Sequence, residues 1–263
     1  MSKSLQRQKH ILKLVQKRGY VTNEDLATEL NVTVQTVRRD VNFMATENLI
    51  NRHHGGAAAL SPLENIDYAE RQILNFKEKD LIGKKAAQLI PDGSSLFINI
   101  GTTTEAFARA LRHHKSLKII TNNIHVASLL TPAPACSLTI TGGVVRLRDG
   151  GIIGPAATHM IEQYRADFGV IGISGIDEDG TLLDFDAEEI NVAQAIIRNA
   201  RTVILLADHT KLKRRPMARV GHLADIDVLY TDLPLPDHLN TIATQANVSV
   251  HTTQDKASSE KKK

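Results

Sequence analysis

One cysteine, Cys136, in 263 residues excludes an internal disulfide and a thiolate-built metal cluster. Lying between Pro134-Ala135 and an apolar run, it reads as a buried structural thiol. Tryptophan is missing and aromatics make up only 4% of the chain, which disfavours recognition of single strands by base stacking. No uninterrupted apolar span is long enough to cross a bilayer, and the polar, basic first ten residues lead into no apolar segment. The expectation is a cytoplasmic protein without a membrane partner. His125, His209, His222 and the pair His113-His114 show no metal-ligand spacing, so neither metal nor cofactor is expected. Also missing are a Ser–His–Asp or Cys–His constellation, a Gly-Lys-Ser/Thr phosphate loop and a G-x-G-x-x-G after a strand.

What remains is an ordinary globular composition, 42% hydrophobic and 23% charged, with length for one small and one ordinary domain. The net charge of +3 is concentrated at one end. Residues 1–60 hold nine Lys/Arg against five Asp/Glu, a balance of +4, so the rest of the chain is close to neutral. A basic lobe on a neutral body suits a polyanionic partner for that lobe. The expected domains are 1–60, a linker at 61–75, an α/β domain at 76–253 and a disordered tail at 254–263.

The basic lobe is organised around residues 24–40, EDLATELNVTVQTVRRD. Leu26, Ala27 and Leu30 give one short apolar stripe, and Val34, Val37 and Val41 give a second at helical spacing. Asn31-Val32 between them suits a turn, because Asn tolerates the left-handed conformation that ends a helix, and Thr33 is placed to cap the next one. Thr33, Gln35, Thr36, Arg38 and Arg39 stay off the apolar stripe, with no acid among them before Asp40. A helix–turn–helix whose second helix enters the major groove needs this division of faces. Upstream, Leu5, Ile11, Leu12 and Val15 define an earlier amphipathic helix ended by Gly19, then Tyr20-Val21 is extended and Thr22 or Asn23 caps. Downstream, Leu49 to Ala57 reads as strand, glycine turn and return strand: a wing carrying Arg52, His53 and His54 toward phosphate or minor groove. Double-stranded DNA is the expected partner.

From residue 69 to 90 a charged helix is expected, with Leu81, Ile82, Ala86, Leu89 and Ile90 packing on the α/β domain. After the Pro91-Asp92-Gly93 break, six apolar strands are expected near residues 96–100, 118–121, 138–141, 168–173, 203–207 and 228–230, alternating with helices. That order argues an α/β domain on a mostly parallel sheet. Ligands of such sheets sit outside the carboxyl ends of the strands. Those ends carry Gly101 with Thr102 to Thr104, Thr121 to Asn123, Gly142-Gly143, Ser174-Gly175, Asp208 and Lys211. Gly101-Thr-Thr-Thr opening a helix is the best anion seat, since orphan N–H groups, the helix dipole and hydroxyls point one way. Lys211 is the natural counter-charge, although the run Lys213 to Arg215 also fits a solvated surface. Asp184, Asp186, Glu188 and Glu189 precede a helix, where acids ordinarily serve the dipole; Glu189 is alternatively turned to the site, accepting ligand hydroxyls.

These residues resemble the DeoR family of bacterial transcriptional repressors over roughly residues 5–250. The resemblance rests on VTVQTVRRDVNFM and LINRHHGGA at the amino-terminal end, and on LFINIGTTTEA, RDGGIIG, DFGVIGISGIDEDGTLLDFD and LLADHTK beyond it. It implies a winged helix–turn–helix joined to a sugar-phosphate-sensing domain related in fold to ribose-5-phosphate isomerase. It further implies a homo-oligomer, by preference a tetramer, that leaves operator DNA when a small phosphorylated effector binds, glycerol-3-phosphate being favoured. Gln35, Thr36, Arg38 and Arg39 would face the groove; Gly101, Thr102, Thr103, Asn122, Gly142, Gly143, Glu189, Asp208 and Lys211 would surround the effector. After Lys211 the sequence departs from the family, with Leu212-Lys213 where an aromatic and a glycine are common. Two alternatives are a repressor of the same design tuned to another sugar phosphate, and a sugar-phosphate isomerase bearing a DNA-binding appendage, with Glu189 or Asp208 as base.

Overall fold

The computed structural model describes residues 3–18, 20–47, 49–53, 55–58, 68–133 and 136–254. The expected linker as far as residue 67 and the expected tail from residue 255 lie outside the described residues. The chain divides into two compact units, 1–67 and 68–263.

In the first unit α1 (Lys3–Arg18) leads into β1 (Tyr20–Thr22), α2 (Asn23–Glu29), α3 (Val34–Thr46), β2 (Asn51–His53) and β3 (Gly56–Ala58). Asn31 takes φ 50°, the left-handed turn anticipated between the two helices. Thr22 and Thr33 cap α2 and α3, each side chain accepting from a backbone N–H in the first turn. Ile11, Val15, Leu26, Val37, Val41, Met44 and Ile50 make the core. Leu5 does not join it, being 43% exposed; Leu14 is buried instead. Asp40, buried midway along α3, accepts from Ser4, Arg7 and Gln8 and so fastens α3 to α1. The wing pairs antiparallel in the order β1-β3-β2, turning at Gly55 with φ 85°, and Asn23 N–H donates to the Gly55 carbonyl at 2.8 Å.

The second unit opens with α4 (Tyr68–Ile73) and α5 (Phe76–Ala87). The single helix expected at 69–90 is broken because Asn75 adopts φ 53°, ψ 36°, a left-handed kink that no helix continues through. Ile82, Ala86 and Ile90 are buried as expected, but Leu81 and Leu89 are exposed at 52% and 40%. There follow β4 (Ser95–Ile98), α6 (Thr102–Ala110), β5 (Leu117–Thr121), α7 (Ile124–Leu130), β6 (Cys136–Ile140), β7 (Val144–Arg146), β8 (Gly151–Ile153) and α8 (Pro155–Glu162). The remainder is β9 (Ala166–Gly172), β10 (Gly175–Ile176), β11 (Thr181–Asp184), α9 (Ala187–Asn199), β12 (Ala200–Leu206), β13 (Ala218–His222), β14 (Val228–Thr231), α10 (Asp237–Gln245) and β15 (Ser249–Thr252).

Among the described residues seven strands form one sheet in the order β15-β14-β12-β9-β4-β5-β6, and every neighbouring pair is parallel. Period-two alternation splits the strands between two cores: Leu96, Ile98, Ile119 and Ile204 pack with α5 and α6, while Phe97, Ile171 and Leu205 pack with α8, α9 and α10. Gly83 lets α5 and α6 meet backbone to backbone; a Cβ there would lie 2.6 Å from Ala106 C and Phe107 N. All six expected strands are present. The seventh, β15, and the antiparallel pieces β7-β8 and β10-β11-β13 were not foreseen, being short and only half apolar. Cys136 is half-buried on the edge strand β6, so the expectation of a buried thiol is corrected.

Candidate functional site

On the first unit, α3 offers Thr33, Gln35, Arg38 and Arg39 to solvent, while Thr36 is half-buried. The apolar stripe turns inward, Val37 and Val41 being 0% and 2% exposed, so the helix displays its cations and amide outward. Thr33 is engaged locally: its hydroxyl oxygen caps Thr36 N–H at 3.2 Å, and its Oγ1 lies 2.9 Å from Thr36 Oγ1. Its contribution is therefore to set the start of the helix. Arg52 is exposed on β2. The side chain of His53 and all of His54 lie outside the described residues. An exposed cationic helix beside a cationic wing strand is the geometry of major-groove docking with a flanking phosphate contact.

On the second unit, the sheet order identifies one position as special. From β4 the chain moves outward to β5 and β6, whereas β9, β12, β14 and β15 build away on the other side. Adjacent connections therefore leave in opposite directions at the carboxyl ends of β4 and β9, which opens a crevice there. Ile100, Gly101, Thr102 and Thr103 line one wall, Gly172, Ile173 and Ser174 the facing one, and Asp184, Glu189, Leu206, Lys211 and Arg71 complete it. The enclosed space is about 20 Å³, room for about one water molecule. Gly101, with φ 149°, releases the chain into α6, whose unpaired first-turn N–H groups end at the cleft. Thr104 locks that turn by donating to the carbonyls of Asn99 and Gly101 at 2.8 and 2.7 Å.

Buried cations dominate the electrostatics beside this cleft. Burial lowers the Lys211 ammonium to about 7; Asp208 resists this, and Arg214, Lys79 and Arg71 add to it. Burial likewise lowers Lys79 to about 8, with Asp208 opposing and Arg71 and Arg214 reinforcing. Arg71 and Arg214 thus add to the penalty on both lysines, and Asp208 offsets part of it. Burial disfavours the Asp208 carboxylate, but Lys211 and Thr210 outweigh it and hold its pKa below the usual range. Asp208 Oδ1 also accepts from Asn75 Nδ2 at 3.2 Å.

Across the cleft Glu189 is pushed up to about 7 by burial and by Asp184, against the pull of Arg146. It is held by Arg146 Nη2 at 2.5 Å, so its nearest partner is a protein cation, while it still lines the cleft. Arg146 also donates to Asp186 at 2.7 Å and, twice at 2.8 Å, to Asp149.

Of the residues expected around an effector, Gly101, Thr102, Thr103, Glu189 and Lys211 are brought together, and Asp208 sits beside Lys211. Asn122, Gly142 and Gly143 are not among the lining residues. Asn122 is fully buried, donating to Ile152 O at 3.1 Å, and Gly143 packs against Ile153 O. They follow β5 and β6, which lie on the other side of β4 from β9. Ser174 lines the cleft as its place at a strand end suggested, whereas Arg71, Lys79 and Arg214 are cleft or cluster residues that sequence reading missed. Arg71 and Lys79 looked like two more charges on an amphipathic helix, and Arg214 like part of a solvated run. The one available signal for Arg146 and Asp149 was their position in and next to RDGGIIG.

A winged helix–turn–helix followed by an α/β unit with a cation-lined cleft at its switch point is the build of a ligand-responsive DNA-binding regulator. Comparison with known proteins supplies the lineage: residues 7–62 match the DeoR-like helix-turn-helix domain and residues 74–233 the DeoR C terminal sensor domain, so the chain belongs to the DeoR family. It is 45% identical over 248 residues to the glycerol-3-phosphate regulon repressor of Escherichia coli (strain K12), covering 94% of this chain and 98% of that protein. It is 48% identical over 235 residues to the repressor of the same name from Haemophilus influenzae, covering 89% and 91%. Among solved structures, ribose 5-phosphate isomerase A of Methanocaldococcus jannaschii overlaps 52% of this chain and 55% of that one at 18% identity, with a TM-score of 0.40. Among the described residues, no helix is long and apolar enough to cross a membrane.

Proposed function

We propose that this protein is a cytoplasmic transcriptional repressor of a glycerol or glycerol-3-phosphate regulon, released from operator DNA by a small polyol or sugar phosphate, with glycerol-3-phosphate favoured. The observation that carries this is the anion cleft at the β4/β9 switch point, in a chain whose other unit displays Gln35, Arg38 and Arg39 on an exposed helix face. Arg38 and Arg39 supply phosphate or guanine contacts, Gln35 reads adenine, and Arg52 fixes register from the wing. In the cleft, the effector's phosphate sits on the Gly101 turn with Lys211 as counter-charge, and its hydroxyls reach Ser174 and Glu189. A homo-oligomer, tetrameric by preference, presents paired lobes to repeated half-sites. The isomerase alternative is set aside: the relatives matched over nearly their whole length are named repressors.

Effector release requires that the ligand prefer the arrangement that does not bind DNA; a preference of about 1–3 kcal/mol changes occupancy roughly 5–150-fold. The test is a duplex selected by the protein from a random pool, bound at fixed salt and titrated with glycerol-3-phosphate, hexose phosphates and inorganic phosphate. Release by glycerol-3-phosphate at the lowest concentration supports the reading. Release by a hexose phosphate alone transfers the same design to another effector.

A further inference from the structure

Arg71 lies on α4, the short helix through which the chain enters its second unit. It lines the cleft with Gly101, Thr102 and Lys211. Its Nη2 donates to Asp149 Oδ2 at 3.1 Å, and its guanidinium lies 5.8 Å from the centroid of the Tyr68 ring. Its carbonyl accepts from Lys79 Nζ at 2.5 Å. Its Nε, however, is shut off from water and has no hydrogen-bond partner. A buried donor of a charged group left unpaired is destabilising, and such a group calls for a partner that comes and goes.

Asp149, for its part, does not depend on Arg71. Both of its oxygens are already taken by Arg146, Nε to Oδ1 and Nη2 to Oδ2, each at 2.8 Å. Releasing Arg71 leaves Asp149 held by both Arg146 bonds and by Gly151 N–H. Arg71 gains more than it gives up, because Nε and Nη2 form one edge of the guanidinium, a planar fork that matches two oxygens of a phosphate.

Resting on the reading of the cleft as an effector site, we propose that Arg71 is a ligand of the effector's anionic group, and that its fork turns from Asp149 to the ligand on binding. The consequence comes from where Arg71 is anchored. Its own helix is pinned at the other end by Tyr68, which donates to Glu105, stacks on His125 at 4.8 Å, and accepts from Gln72 at 2.7 Å. Just after that helix Asn75 is tied to Asp208, and Asp208 neighbours Lys211. A ligand that recruits Arg71 and Lys211 together therefore acts on both ends of the segment from 71 to 75. The occupied cleft holds α4 differently from the empty one, which makes α4 the element that reports occupancy.

The experiment uses the full chain with Arg71→Lys, which keeps a cation but loses the fork, and Arg71→Ala. Calorimetric binding of sn-glycerol-3-phosphate and of inorganic phosphate is measured beside release of the selected duplex. The expected result is that Arg71→Lys binds both probes at least tenfold more weakly than wild type, with an unchanged thermal midpoint without ligand. The duplex stays bound at probe concentrations that saturate the variant. Arg71→Ala weakens binding further. Wild-type affinity and wild-type release in Arg71→Lys overturn the proposal while leaving the effector site intact. A wild-type chain that binds neither these probes nor a hexose phosphate overturns the effector reading, and this inference with it.

Discussion

The lowered Lys211 ammonium makes effector binding a measurable function of pH. In the free protein it loses its proton near 7, against an ordinary value of 10.5, chiefly because it is enclosed and has three cations nearby. A bound phosphate supplies the missing counter-charge, so the complex keeps the proton over the whole neutral range. Binding then takes up a proton wherever the free amine is neutral. With a free value of about 7, the apparent Kd scales as about 1 + 10^(pH − 7), roughly 2 at pH 7 and 101 at pH 9, an expected loss of about 50-fold. The ligand contributes little to this slope, because a phosphate monoester has its second pKa near 6 and is about nine-tenths dianion already at pH 7. Isothermal calorimetry at pH 7, 8 and 9, in buffers of different ionisation enthalpy, measures both the affinity and the proton uptake. Lys211→Arg, charged at every pH used, is expected to flatten the profile. A wild-type Kd that moves less than threefold between pH 7 and 9, with no proton uptake, refutes the assignment of Lys211 as counter-charge. The same shift has a consequence for the empty protein. Between 7 and 10.5 the unfolded chain holds more protons than the folded one, so this lysine's burial penalty is full below 7 and is relieved as pH rises.

On the DNA side, Arg38→Ala is expected to weaken duplex binding about tenfold and lower the slope of log K against log salt by about 1, with phosphate binding unchanged; an unaltered salt slope removes Arg38 from the interface. In the sensor core, Gly83→Ala sets two effects against each other. Alanine improves helix propensity by about 1 kcal/mol, but its Cβ would fall 2.6 Å from the backbone of α6, which cannot move aside as a side chain can. Overpacking of this kind costs about 1–3 kcal/mol, and contact with backbone places it at the upper end. The expected net loss of about 1–2 kcal/mol lowers the thermal midpoint by roughly 2–8 °C; a midpoint that stays level or rises contradicts the packing argument.

Local order in this protein was legible residue by residue. The two helix caps at Thr22 and Thr33, the left-handed Asn31 between α2 and α3, the inward stripe of Val37 and Val41, and the glycine turn of the wing each arise from side-chain chemistry within about four positions. The parallel strands were legible for the same reason, since a strand buried on both faces reads as a continuous apolar run. Even the Gly101 turn into α6 needed only a strand, a glycine and three threonines in line.

Tertiary structure decided which strand ends share a crevice. Gly142-Gly143 and Gly172 to Ser174 look alike as sequence, small residues after apolar strands, yet only the second set faces Gly101, because β9 pairs with β4 while β6 lies two strands away. It also decided what the charges do. Arg71, Lys79 and Arg214 are ordinary surface cations by composition, and Asp40 an ordinary acid; the fold gathers the first three around Lys211, and three donors from α1 make the last a clasp. A chain encodes propensity over a few neighbouring residues, whereas a pKa or a cleft arises between groups tens of positions apart, whose separation only the folded sheet sets.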